Sequence, residues 1–411
     1  MVAASLLVFA PALMPNDSLD RADRSSASRA LDSALPQRPA PAAPGPSEDV
    51  GIDGVDVPDP LVLDGGGAID SVQVWESQRR PELLDAFEEN VYGQSLPVPA
   101  PEDLAFDEDG AGSARTTTVT VTGPEGEASF TVRLFVPDGT PKGTFLLIDH
   151  RGSVGDDAGS SSGYAPVSTI LDAGYAFAAL DAGEIAPDDS GSYRDGVIDA
   201  FYPSGTDLPD DAGRTISAWA WGASRALDYL ETVPGIDAGN VAVIGHSRGG
   251  KAALWAGAQD TRFPVVISNN SGSTGAKLAR RDGAGESISA INEQFPHWFP
   301  ETYKSYNDDP DSLPVDQHQL LALIAPGRVV IGSASDDGNA DPQGEYMSYL
   351  AAAPVYELYG LSDTGLASQS WPPTTDQAFR GPGMSYHLRS GGHGLEDADW
   401  GIYLEGDLFR R

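Results

Sequence analysis

The chain has 411 residues, of which 40% are hydrophobic and 47 are glycine, so it can bury a sizeable core and is not disordered throughout. A formal charge of −36, with only four lysines, argues against nucleic acid and anionic membranes as partners. The absence of cysteine removes disulfides, thiolate metal sites and a cysteine nucleophile.

At the start of the chain, Met1 to Met14 form a short apolar segment, and Ala10-Pro11-Ala12 has the pattern of a signal-peptidase site. Residues 1–19 are therefore read as a signal peptide and the protein as secreted, although the basic start is missing and the first positive side chain is Arg21. Residues 20–60, rich in Ala, Pro, Ser and Asp, have too few large apolar residues to offset the entropy of ordering and read as a linker. Residues 61–411 read as one domain. No run of about 18 apolar residues follows, so no stable membrane insertion is expected. So much acid reads as adaptation to high salt, where screening relieves the repulsion among carboxylates.

Leu83, Leu84, Phe87 and Val91 fall on one face and predict a helix over 81–91. Residues 115–122 and 129–136 are β-branched runs around Gly123-Pro124-Glu125-Gly126 and predict an antiparallel hairpin. Short apolar strands follow at 143–149, 176–180, 240–244, 265–268 and 328–333. Helical stretches separate most of them, the clearest at 214–231, where Ile216, Ala220, Ala223, Leu227 and Leu230 share a stripe. This alternation predicts an α/β fold with a mostly parallel central sheet covered by helices on both faces.

Within this order, Gly245-His246-Ser247-Arg248-Gly249 fits the Gly-x-Ser-x-Gly pattern, preceded by the strand 241–244 and followed by a helical stretch, 250–257. A sharp strand-to-helix turn would hold the Ser247 hydroxyl clear of the backbone, and glycines at both ends permit strand and helix to approach. The same turn puts the Arg248 amide at a helix N-terminus, where it can stabilise an oxyanion. Lys251, four residues on, lies one turn along on the same face.

In the α/β-hydrolase order, an acid and then a histidine follow the serine. Of six histidines, only His387 and His393 lie beyond a plausible acid strand. His387 sits inside an apparent strand, 384–388, and reads as structural, whereas His393 lies in the loop Ser390-Gly391-Gly392-His393-Gly394 and is the better base. Asp336, Asp337 and Asp341 compete as the acid, and Asp337 has the preferred spacing, four residues before Asp341-Pro342. Trp298 and His297 could line a pocket, although such an aromatic cluster is more often packing. His318 reads as structural, Asp308 to Asp311 as solvated surface, and His150 follows a strand near where such hydrolases build part of the oxyanion site.

Taken together, the stretches 219–231, 245–251, 268–272, 295–299 and 313–318 resemble those of the glucuronoyl esterases, carbohydrate esterase family 15, especially the bacterial branch, and the similarity runs over about residues 75–410. The resemblance implies an α/β-hydrolase fold and hydrolysis of the ester between 4-O-methyl-glucuronic acid of glucuronoxylan and lignin alcohols, without metal or other cofactor. Ser247 would attack the carbonyl and His393 serve as base. Arg248 would present backbone and guanidinium to the oxyanion, and Lys251 and Glu286 would meet the substrate; Trp298, from its aromatic cluster, is a further candidate for substrate contact. Two departures stand out. Asn270 occupies the position of the fungal acid, which points to Asp337 instead, and Asn339 stands where relatives carry a tryptophan that stacks on the uronate. A monomer is expected. Acetyl xylan esterase activity is the nearest alternative, and a non-catalytic carbohydrate-binding relative the more distant one.

Overall fold

The computed structural model describes residues 49–409, apart from 53, 111, 160–162, 282, 367 and 368. The expectations of a signal peptide at 1–19 and of a linker over 20–48 lie outside the described residues.

The last part of the expected linker is not irregular: β1 (Asp49–Ile52) and β2 (Val55–Pro58) pair as an antiparallel hairpin. Val57 anchors it, fully buried against Leu278 and Met347. The helix expected over 81–91 is longer than its apolar stripe. A helical run starts at Val72, capped by the Ser71 hydroxyl, and continues through α1 (Arg80–Phe87) to Tyr92. Trp75, at the end of the first turn, is fully buried and extends the packed face.

Ten strands form one sheet. In chain order they are β3 (Leu104–Asp109), β4 (Ala114–Gly123), β5 (Gly126–Phe135), β6 (Thr144–Asp149), β7 (Ala176–Asp181), β8 (Val241–His246), β9 (Val265–Asn269), β10 (Arg328–Ala334), β11 (Ala378–Arg380) and β12 (Met384–Arg389). Their order across the sheet is β11-β12-β10-β9-β8-β6-β7-β5-β4-β3. The central six, from β12 to β7, run parallel, and the edges are antiparallel. The predicted hairpin is β4–β5.

Parallel strands buried on both faces should be continuously apolar, and those of β6 to β10 nearly are. Their side chains alternate between two cores: Leu146, Ile148, Val241 and Val243 join one, and Phe145, Leu147, Ala242 and Ile244 the other. The first core is closed by α3 (Thr215–Thr232), α4 (Arg248–Gln259), α6 (Gln317–Ala322) and α7 (Pro342–Leu358). The second is closed by α2 (Val167–Asp172) and α8 (Asp397–Glu405). A shorter α5 (Ile288–Gln294) packs at the margin of the first. This three-layer sandwich is the α/β-hydrolase architecture expected from the alternation of strands and helices.

Among the described residues, no helix is long and apolar enough to cross a membrane. The carboxyl ends of β8, β9, β10 and β12 lie side by side, the place where open α/β sheets bind ligands.

Candidate active site

Ser247 sits in the turn between β8 and α4 with φ 55° and ψ −125°. A non-glycine residue is rare there and costs about 1–3 kcal/mol, a strain typical of a nucleophile elbow. The turn closes only because Gly245 has no side chain, since a Cβ there would lie 2.0 Å from the Gly249 carbonyl oxygen. About two helical turns further on, Gly257 lets α4 settle on β9, where a Cβ would lie 2.2 Å from Val266 Cγ2. Arg248 is the first residue of α4, so its amide points from the helix N-terminus, as the sequence predicts.

His393 lies just past β12 and donates from Nδ1 to Asp337 Oδ2 at 2.6 Å. That bond leaves Nε2 as the acceptor nitrogen. Asp337 is buried, and its other oxygen accepts the Ala340 amide at 3.3 Å. The two competing aspartates are engaged elsewhere: Asp336 is exposed and accepts the Ser335 hydroxyl, while Asp341 pairs with Arg281 Nε at 2.7 Å. Asn270, in the alternative acid position, donates from Nδ2 to the Gly394 carbonyl at 3.2 Å and so steadies the loop that carries His393.

The same loop is clamped from below. Arg389 donates to the carbonyls of Ser390, Gly392 and Gly394, and its Nε binds Asp399 at 3.0 Å. Buried His387 donates to the other oxygen of Asp399 at 2.8 Å. His387 is thus a structural member of a buried ionic group, in keeping with its strand position. His393 also rests against His246, with ring centroids 4.5 Å apart, and His150 lies behind at 6.2 Å from His246. Burial pushes both inner imidazoles down to about 3, helped by repulsion from His393 at His246 and from Arg248 at His150. They are neutral packing for His393, not competitors for its proton.

Ser247, Arg248, Lys251, Glu286, Trp298, Asp337 and His393 all line one cleft of about 300 Å³. Asn270, Gln294, Phe295 and Asn339 also line it. Lys251 is buried, not solvated. Its ammonium donates to the carbonyls of Ser271, at 2.7 Å, and Ser273, and burial lowers its pKa to about 8 against the pull of Glu286 and Glu345. Glu286 is brought over the cleft by its amide bond to the Asn339 carbonyl at 2.9 Å. That approach requires Gly285, whose φ is +63° and whose Cβ would lie 2.7 Å from the same oxygen.

Sequence reasoning missed Asp188. Its carboxylate accepts from Arg248 Nη1, from Trp298 Nε1 at 2.7 Å and from His297 Nε2 at 3.0 Å. Burial opposes its ionisation, but the bonds from His297, Trp298 and Arg248 outweigh that and hold it well below the usual carboxylate range. It fixes the Arg248 guanidinium 4.6 Å from the Trp298 ring centre. No local signal marks Asp188, because its partners lie 60, 109 and 110 residues away. Buried Glu345 was missed too. It accepts the Ser333 hydroxyl at 2.6 Å and the Gly272 amide at 2.9 Å, tying β10 to the loop beyond β9. Among the described residues, no group of three or more His, Asp or Glu side chains is arranged to hold a metal ion.

A strained serine at a strand-to-helix elbow, in one cleft with a carboxylate-bound histidine, on an α/β-hydrolase sheet, defines the chain as a serine carboxylic-ester hydrolase. Comparison with known proteins narrows this: the family described as glucuronyl esterase, fungi, matches residues 119–360. Carbohydrate esterase MZ0003, from an unknown prokaryotic organism, is 35% identical over 390 residues, 85% of this chain and 88% of that protein. The 4-O-methyl-glucuronoyl methylesterase 1 of Phanerochaete chrysosporium is 29% identical over 78% of this chain and 67% of its own length. The structure of a glucuronoyl esterase from Solibacter usitatus superposes with a TM-score of 0.77 at 34% identity, covering 87% of this chain and 98% of that one. This chain belongs to the glucuronoyl esterase family.

Proposed function

We propose that the protein hydrolyses the ester joining the carboxyl of 4-O-methyl-glucuronic acid on glucuronoxylan to lignin alcohols, through an acyl-enzyme on Ser247. Ser247 Oγ attacks the ester carbonyl as His393 Nε2 takes its proton. The alcohol departs with that proton, and a water, activated by the same nitrogen, releases the uronic acid. Asp337 holds the tautomer and stabilises the imidazolium. The Arg248 amide and guanidinium receive the oxyanion, and Lys251 and Glu286 meet sugar hydroxyls. The 2.6 Å bond from His393 to Asp337, in the cleft lined by Ser247, carries this reading.

The substrate rests on family membership and on the names of the relatives. Benzyl glucuronoyl ester and acetylated xylan test it: the first should be cleaved and Ser247→Ala should abolish the reaction. Acetate release beside an untouched glucuronoyl ester would overturn the substrate, and failure of a fluorophosphonate probe to label Ser247 would overturn the mechanism. We further propose that the protein acts outside the cell as a monomer and that its acidic surface is an adaptation to salt. The apolar segment 1–14 supports export, and the charge of −36 supports the salt adaptation.

A further inference from the structure

A pyranose ring offers hydroxyls at its rim and an apolar C–H face, so a sugar cleft needs polar groups and a flat apolar wall. Lys251, Glu286, Gln294 and Asn339 supply polar groups here, and the apolar aromatic rings of the lining, beside the His393 imidazole, are Phe295 and Trp298. These rings are stacked, with centroids 3.8 Å apart and planes inclined by 2°. The backbone builds the stack. α5 ends at Gln294, the Phe295 amide bonds the Ile291 carbonyl at 2.8 Å, and the Trp298 amide bonds the Phe295 carbonyl at 3.1 Å, which turns both side chains to one side.

Trp298 is spent in this arrangement. Phe295 covers one of its faces, its indole N–H is held by Asp188, and it is only 3% exposed. Phe295 is half-buried instead. The Arg248 guanidinium carbon lies 4.6 Å from the Trp298 ring centre and 5.0 Å from that of Phe295. With the rings 3.8 Å apart, those distances put the guanidinium on the Trp298 side of the Phe295 plane. Neither neighbour covers the opposite face of Phe295.

We infer that this outward face of Phe295 is the platform on which the pyranose ring of the substrate packs, with Trp298 as its rigid backing. Phe295 is then the residue that selects a uronate ring over acyl groups that have none. The inference rests on the glucuronoyl-ester reading above and adds the side chain that recognises the ring.

The test is Phe295→Leu, which keeps an apolar side chain of similar bulk but no flat face, with Phe295→Tyr as the conservative control. Methyl glucuronoyl ester, benzyl glucuronoyl ester and p-nitrophenyl acetate are compared by steady-state kinetics. In the Leu variant, KM should rise about three- to tenfold for both glucuronoyl esters, as loss of one ring-stacking contact does. The ratio of kcat/KM for glucuronoyl ester to that for acetate should fall by the same factor, the methyl-to-benzyl ratio should hold, and the Tyr variant should restore all three values. In a Ser247→Ala background, calorimetry should show methyl glucuronate binding weakened to the same extent by Phe295→Leu. Parallel losses on acetate and glucuronoyl esters would overturn the inference by making Phe295 a mere support for Arg248. A loss confined to the benzyl ester would overturn it by assigning the ring to the alcohol. Inactivity of the parent enzyme on both glucuronoyl esters, with acetate cleaved, would overturn the reading beneath it before any variant is made.

Discussion

Replacing Glu345 by Gln removes an ionisable carboxyl from the interior while its two hydrogen bonds can be kept. The amide oxygen can accept the Gly272 amide now held at 2.9 Å, and the amide nitrogen can donate to the Ser333 hydroxyl now at 2.6 Å. Burial raises the carboxyl from 4.5 to about 7, although both hydrogen bonds pull the other way. The folded protein therefore binds this proton more tightly than the unfolded chain. The resulting stabilisation is complete below about pH 4.5 and lost as pH rises through about 7, where the ionised group costs about 3 kcal/mol. Glu345→Gln should thus stabilise the protein by about 1–3 kcal/mol at pH 8 and by almost nothing at pH 4, since only the ionised form is penalised. Urea unfolding of both proteins at the two pH values reads the difference directly, because the remaining carboxylates contribute equally to each. Equal effects at the two pH values, or a loss at pH 8, would refute the reasoning.

Asp337→Asn should lower kcat on benzyl glucuronoyl ester by about three to four orders of magnitude with KM nearly unchanged, as loss of an imidazole-orienting carboxylate does. Activity within tenfold of the parent would remove Asp337 from the triad. Asp188→Ala frees the Arg248 guanidinium and should reduce kcat about tenfold, less than outright loss of an oxyanion donor, while circular dichroism stays native. An unchanged kcat would make the contact incidental. With a charge of −36, the urea midpoint should rise between 0.1 and 1 M salt, where the screening length shrinks from about 10 to 3 Å, and a flat response would count against salt adaptation.

Features whose cause is local could be read from the sequence. The elbow around Ser247 is written in neighbouring glycines and in an apolar strand followed by a helix, and the central strands in unbroken apolar runs. Asp337 and His393 followed from chain order, because the sheet brings successive strand ends to one edge. Features whose cause is tertiary stayed hidden. Asp188 has meaning only beside Arg248, His297 and Trp298, and Glu345 lies in α7, which is buried around most of its circumference and so carries no one-sided pattern to mark its polar residue. β3 is an edge strand with no fully buried residue and reads as loop, and the β1–β2 hairpin has strands of only four residues, held where Val57, with Ile52 and Val55 beside it, meets Leu278 and Met347.

Asn270 and Asp337 stand at the ends of adjacent parallel strands, joined where the Asn270 amide bonds the Gly332 carbonyl at 2.7 Å, and both reach the loop of His393. The acid of the proposed triad therefore has two mounting points, one holding the Asp337 carboxylate and the other the supporting Asn270 amide. A carboxylate at either strand end would approach the His393 loop, so the geometry of the sheet alone does not dictate which of the two carries it. The serine has no such freedom, because a single turn of backbone can hold it. Within this architecture one strained turn can present Ser247, whereas two strand ends can present a carboxylate to the histidine loop.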